Sequence, residues 1–228
     1  MKILALESSA LAASAALWDG GRCVGLYLQN CGLTHSETLL PMAENLLKGC
    51  AVPLSEVDLV AVARGPGSFT GVRIGVATAK GLSWGLDKPC CGVSTLEAMA
   101  WQAAHLEGKL LCCCMDARRG QVYNALFRAE GESLQRLRED RAISLAELLA
   151  DLPEAPVLLG DGACITAKAL EEAGMAHTLA PESVRIQSAW GVALAAAHAP
   201  RDAWGEPEPV YLRLSQAERE RLATGNTA

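Results

Sequence analysis

Apolar residues open this chain in short runs. Residues 2–7 (KILALE) make one such run, as a buried strand would. Residues 13–18 (ASAALW) and 22–29 (RCVGLYLQ) follow, separated by Asp19-Gly20-Gly21, which reads as a hairpin turn. The pattern predicts three opening strands, antiparallel to one another. Further strands are predicted at 57–63 (VDLVAVA) and 90–94 (CCGVS). Between them the period lengthens. Ser36 is placed to cap a helix reaching about Lys48, with apolar positions Leu39, Leu40, Met42, Ala43, Leu46 and Leu47. That stripe is wider than one core-facing face needs. Pro41 lies inside it and lacks the N–H that would reach the Glu37 carbonyl, so a kink or loosening is expected there. Two more helices are predicted, from about Ser68 to Leu86 and from about Thr95 to His105.

The second half repeats the plan. Residues 109–115 (KLLCCCM) and 121–128 (QVYNALFR) read as strands around a Gly120 turn, with a more polar strand near 133–141. A helix at 144–150, a strand at 156–160, a Gly-Asp-Gly turn and a helix at 163–173 come next. A helix at 186–198 and a final Pro209–Arg213 segment close the ordered part; beyond about 215 the chain is expected to fray. Three strands followed by β-α alternation, twice over, predict two related α/β units with mixed sheets, 1–106 and 107–228.

Composition narrows the classes. Half of the 228 residues are apolar and the net charge is −6. The chain is too apolar to be disordered, and its acidic balance argues against a free-standing nucleic-acid binder, which needs clustered Lys and Arg. Glu7 interrupts the apolar start, so a signal peptide is not expected, and no uncharged apolar stretch is long enough for a membrane span. The nine cysteines are odd in number and include adjacent runs, a poor disulfide framework. They read as small core residues in a reducing cytoplasm, with neighbours in Cys112-Cys113-Cys114 facing opposite sides of a strand.

Three segments carry candidate chemistry. Arg64-Gly65-Pro66-Gly67-Ser68 leaves a strand and enters a helix, with Gly65 and Gly67 for a tight turn and Ser68 as N-cap. Such a turn offers backbone N–H groups to an anion, but the spacing fits neither GxGxxG nor a P-loop. Gly71 and Gly75, followed by Ala79, share one face of that helix. Interior glycines cost about 1 kcal/mol each against alanine, so they call for close approach to another backbone, within the chain or across a subunit interface. Glu7-Ser8-Ser9, after the first strand, is either an ordinary turn or a phosphate-holding one. Asp116 with Arg118 and Arg119 is either an anion clamp or a solvated turn ion pair. The four histidines are scattered, and neither HExxH nor GxSxG occurs.

The stretches ILALESSALAASAALW, HSETLLPMAENLL, ARGPGSFTGVRIGVATAKGLSWG, GVSTLEAMA, MDARRGQVY and EPVYLR together resemble the bacterial TsaB (YeaZ) family. The resemblance implies an actin-like fold of two related α/β domains, shared with sugar kinases. It implies a role in making threonylcarbamoyladenosine next to the tRNA anticodon, as a non-catalytic activator in the cytoplasm. The implied partners are the catalytic subunit TsaD and the ATPase TsaE, with a homodimer when TsaD is absent and tRNA contacted only indirectly. TsaD carries a metal-binding HxxxH; aligning GVSTLEAM with it places Thr95 and Met99 at the ligand positions. A threonine and a methionine do not hold a hard or borderline ion, so no metal is expected here. The resemblance also places the partner contact on the first two helices: Leu39, Leu40, Ala43, Leu46, Leu47, Gly71, Arg73, Gly75 and Ala79. It requires no cofactor on this chain, but allows ATP or ADP at or near that interface, touched by Glu7, Ser8, Ser9, Gly65, Gly67, Asp116 or Arg118. The competing readings are an independent actin-fold kinase or protease, and a nucleotide sensor without turnover.

Overall fold

A computed structural model describes residues 1–213. The first sheet contains β1 (Lys2–Glu7), β2 (Ala13–Asp19), β3 (Arg22–Gln29), β4 (Leu59–Ala63) and β5 (Cys90–Val93), in the order β3-β2-β1-β4-β5. β1, β2 and β3 pair antiparallel, as the turn residues predict, and β4 and β5 add in parallel. The second sheet contains β6 (Leu110–Asp116), β7 (Gln121–Ala129), β8 (Leu134–Ser144), β9 (Val157–Leu159) and β10 (Thr178–Leu179), in the order β10-β9-β6-β7-β8. Its plan mirrors the first: β6, β7 and β8 pair antiparallel, and β9 and β10 add in parallel.

The helices are α1 (His35–Gly49), α2 (Phe69–Leu86), α3 (Thr95–Gln102), α4 (Leu145–Asp151), α5 (Ala163–Glu172), α6 (Glu182–Arg185) and α7 (Ala189–His198). α1 and α2 cover one face of the first sheet, closing a core of Leu4, Leu6, Leu17, Leu39, Leu46, Val62 and Val76. α7 packs on its other face through Val192, Ala193 and Ala196. α3 reaches both sheets: Ala98 joins the α7 core, while Leu96, Met99 and Ala100 join Phe127 and Leu111 of the second sheet. The outer face of the second sheet packs Leu110, Leu126 and Leu158 against Leu148 and Leu170 of α4 and α5.

Several expectations need correction. Thr34, not Ser36, occupies the N-cap of α1, and it makes no side-chain capping bond. α1 runs unbroken through Pro41, which lies on the solvent side, where water can bind the freed carbonyl. The broad apolar stripe is one core face plus a single exposed Leu40. α7 belongs with the first sheet, so the segment from 189 onward returns to the unit that 1–106 opens. Cys90, Cys91 and Cys112 to Cys114 are buried as expected, but Cys23, Cys31 and Cys164 are exposed and Cys50 is half-buried. Cys113 faces the α3 side, while Cys112 and Cys114 face the other, their sulfurs 3.4 Å apart. The fraying expected beyond about 215 concerns residues outside those described.

Candidate functional site

A cleft of about 400 Å³ opens between the two sheets. Its lining includes Ser9, Ala10, Gly67 to Thr70, Met115 to Arg118, Asp161 and Val210 to Arg213. Most sequence-selected chemistry therefore converges here, from the end of β1, the start of α2, and the β6–β7 turn.

The floor is sealed by backbone. Ser68 caps α2, its hydroxyl accepting from the Gly71 N–H at 3.3 Å. The Ser68 N–H donates to the Ser9 carbonyl at 2.7 Å. The Ser8 hydroxyl donates to the Gly71 carbonyl at 2.9 Å. The two loops that could each have held a phosphate thus satisfy one another. A Cβ at Gly71 would overlap the Ser8 carbonyl, and one at Gly75 would lie 2.5 Å from Ser8 Oγ and 3.3 Å from Val62. Gly71 and Gly75 are therefore explained by packing within the chain. Ala79 is likewise buried in the first core.

Glu7 and Ser8 are buried at 0% and 1% exposure and present nothing to a ligand. The Ser9 N–H donates to Glu7 Oε1 at 2.5 Å, and Oε2 has no protein partner. Burial pushes the Glu7 carboxyl up to about 7, against the opposing pull of hydrogen bonds from Ser9 and Ser8. Gly65 is filled over by the Val210 carbonyl, 2.5 Å from where its Cβ would stand. Of the expected phosphate contacts, Ser9, Gly67, Asp116 and Arg118 line the cleft, whereas Glu7, Ser8 and Gly65 do not.

Asp116 acts on the backbone. Its Oδ1 accepts the Arg118 N–H at 2.7 Å, an Asx-type turn. Arg118 and Arg119 follow with left-handed φ of 66° and 57°, leaving both side chains exposed. What remains for an anion is the cleft mouth: Phe69 and Thr70 N–H groups without intrahelical acceptors, Arg118 and Arg213. Of the Ser8–Ser9 turn, Ser9 faces the cleft and Ser8 faces α2. Phe69, Asp161, Tyr211 and Arg213 were not selected from sequence. The EPVYLR segment signalled importance there, but periodicity assigns it no element.

The expected interface residues are redistributed. Leu39, Ala43, Leu46, Leu47, Gly71, Gly75 and Ala79 are buried within the chain, with Ala43 and Leu47 still reaching the wall of an apolar groove. Leu40 and Arg73 remain exposed. Beside them Ala77, Gly81 and Trp84 are exposed too, Trp84 at 68%. Leu40 also edges an apolar groove of about 270 Å³ between α1 and Leu82 of α2. Thr95 and Met99 are both buried, one helical turn apart on α3, with Met99 packed into the second core. Among the described residues no three His, Cys, Asp or Glu side chains gather as a metal set, and no helix is long and apolar enough to cross a membrane.

Comparison with known proteins bears on this arrangement. A family model described as TsaD, tRNA N6-adenosine threonylcarbamoyltransferase, matches residues 29–161. The tRNA threonylcarbamoyladenosine biosynthesis protein TsaB of Bacillus subtilis is 38% identical over 154 residues, covering 68% of this chain and 67% of that protein. Its Escherichia coli counterpart is 37% identical, covering 65% and 64%. The solved structure of YeaZ from Pseudomonas aeruginosa superposes with a TM-score of 0.75 at 28% identity, over 92% of this chain and 99% of that one. The two mirrored sheets make the actin-like α/β fold that the resemblance implied. The chain belongs to the TsaB (YeaZ) family of tRNA threonylcarbamoyladenosine biosynthesis proteins.

Proposed function

We propose that this chain is a non-catalytic subunit in threonylcarbamoyladenosine synthesis, which docks on the catalytic subunit TsaD through the outer face of α1 and α2. One observation carries the reading. Gly71 and Gly75 of α2 pack on the chain's own Ser8 turn, while the helix's opposite face is left open, with Ala77, Gly81 and Trp84 beside Leu40 of α1. A helix face of small residues flanked by exposed Trp and Leu suits close helix packing against a partner. The same face serves a homodimer when TsaD is absent. TsaE supplies ATP turnover to the assembly, in the cytoplasm. ATP or ADP, where bound near this chain, meets the cleft mouth rather than the buried Glu7–Ser9 turn. A net charge of −6 leaves tRNA to be held by other subunits.

The test is co-elution with TsaD on a sizing column. Gly81→Glu and Ala77→Glu place charge on the exposed face, and a side chain at Gly81 meets open space. Both variants should stay folded and lose the complex. Ala43→Glu is unsuitable, because Ala43 is a core residue. Retention of the complex by both exposed-face variants contradicts the docking assignment.

A further inference from the structure

The last described stretch, Glu206–Arg213, belongs to no helix or strand, yet it is tied down along its length. At one end Glu206 accepts from the Trp84 indole at 3.1 Å and pairs with Lys80 at 3.1 Å. In the middle the Val210 N–H donates to the Arg64 carbonyl at 2.7 Å. Tyr211 then stacks on Phe69, ring centroids 4.5 Å apart, and accepts from Arg73 Nε at 2.8 Å. The Arg73 guanidinium sits 3.9 Å over the Phe69 ring. All of these anchors lie on the first-sheet unit, running from the C-terminal end of α2 back to its first turn. The final anchor does not. Arg213 donates to the carbonyls of Ala117 and Arg118, in the β6–β7 turn of the second sheet.

We propose that Glu206–Arg213 is a strap that latches the two units together across the cleft mouth, with Tyr211 as its seat and Arg213 as its hook. Released, it lets the cleft open and loosens its floor, where the Ser68 N–H is bonded to the Ser9 carbonyl. The chemistry suits a latch. One guanidinium nitrogen, Nη1, donates to both carbonyls; these charge-assisted bonds sit at a partly exposed site, where they break without opening a core. The carbonyls it reaches lie in the β6–β7 turn, where Arg118 and Arg119 have left-handed φ and the Arg118 carbonyl also accepts from the Gln121 N–H at 3.2 Å. A second tie, Arg136 to Glu97 at 2.7 Å and to Asp140 at 2.8 Å, joins β8 to α3 independently of the strap. It gives the opening motion a side that stays joined. The strap's other end rests on Trp84 and Lys80, so contacts made on the α2 face reach the cleft through eight residues of chain.

The test is amide hydrogen exchange followed residue by residue by NMR in the full chain, for wild type and for Arg213→Ala, Tyr211→Ala and Tyr211→Phe. The Val210 amide reports the strap itself. The Ser9 and Ser68 amides report the cleft floor. Loss of the hook should raise exchange at Ser9 and Ser68 by about tenfold or more, while the central amides of β1 and β6 keep wild-type protection. Tyr211→Ala should do the same, and Tyr211→Phe, which keeps the stack, should do less. If the Val210 amide is freed while Ser9 and Ser68 stay protected, the strap is only a docked terminus and the latch is overturned. Unchanged exchange at all sites overturns it as well. Arg213→Lys guards against a folding failure, since it keeps the charge and most of the stem but not the planar guanidinium. If that variant also unfolds globally, Arg213 is a core support and the latch is again overturned.

Discussion

At the scale of single residues, the glycines of α2 divide into two kinds. Gly71 and Gly75 face the β1–β2 turn with no room for a methyl group, whereas Gly81 faces open space. Gly75→Ala should therefore destabilise the fold by about 1–3 kcal/mol through overpacking, and Gly81→Ala should stabilise it by about 1 kcal/mol through helix propensity, both read from urea unfolding. The sequence announced that interior glycines needed a close neighbour. It could not say which, because the Ser8 turn that fills the space lies sixty residues away. Glu7 makes a second case. Its raised pKa means that the folded state holds a proton which the unfolded chain has released. Stability therefore falls as pH rises from about 4.5 to about 7, then levels. Glu7→Gln keeps the acceptor for Ser9 and removes that loss. The variant should match wild type near pH 5 and exceed it near pH 8 by on the order of 2–3 kcal/mol. Equal stability at pH 8 would show that the carboxyl is not penalised by burial.

At the scale of elements, the strongly patterned segments were legible. The opening hairpins, α2 with its Ser68 cap and the alternation of Cys112, Cys113 and Cys114 all follow from local periodicity. What escaped was either too short or dictated from afar. β10 has two residues and α6 four, too few for any period to register. α7 is apolar on nearly every side, AWGVALAAAH, the pattern of a helix buried all round, but nothing local says which sheet buries it. It covers Ile3, Ala5 and Ala61 of the first sheet. A fragment ending at residue 106 lacks that cover and should give the poorly dispersed amide spectrum of an unfolded or aggregating chain. Adding residues 189–213 as a separate peptide should improve it. A well-dispersed spectrum from 1–106 alone would mean that α7 contributes little to the first unit.

At the scale of the whole molecule, two mirrored sheets enclose a cleft, and the Ser8 turn beside it is packed against the chain's own α2. The acidic balance argues against a protein that grips nucleic acid alone, which supports the proposal that other subunits hold the tRNA. The site was only half legible for the same reason as the glycines. Sequence pointed to Ser8, Ser9, Gly65 and Gly67, but whether a loop meets a ligand or another loop is decided by tertiary packing. The measurement that tests the central claim most directly is reconstituted tRNA threonylcarbamoylation with TsaD, TsaE and the threonylcarbamoyl-adenylate donor. Product should form only when this chain is added, and Glu7→Gln should support it as well as wild type. Full modification without the chain, or ATP turnover by the chain alone that Glu7→Gln abolishes, would contradict it.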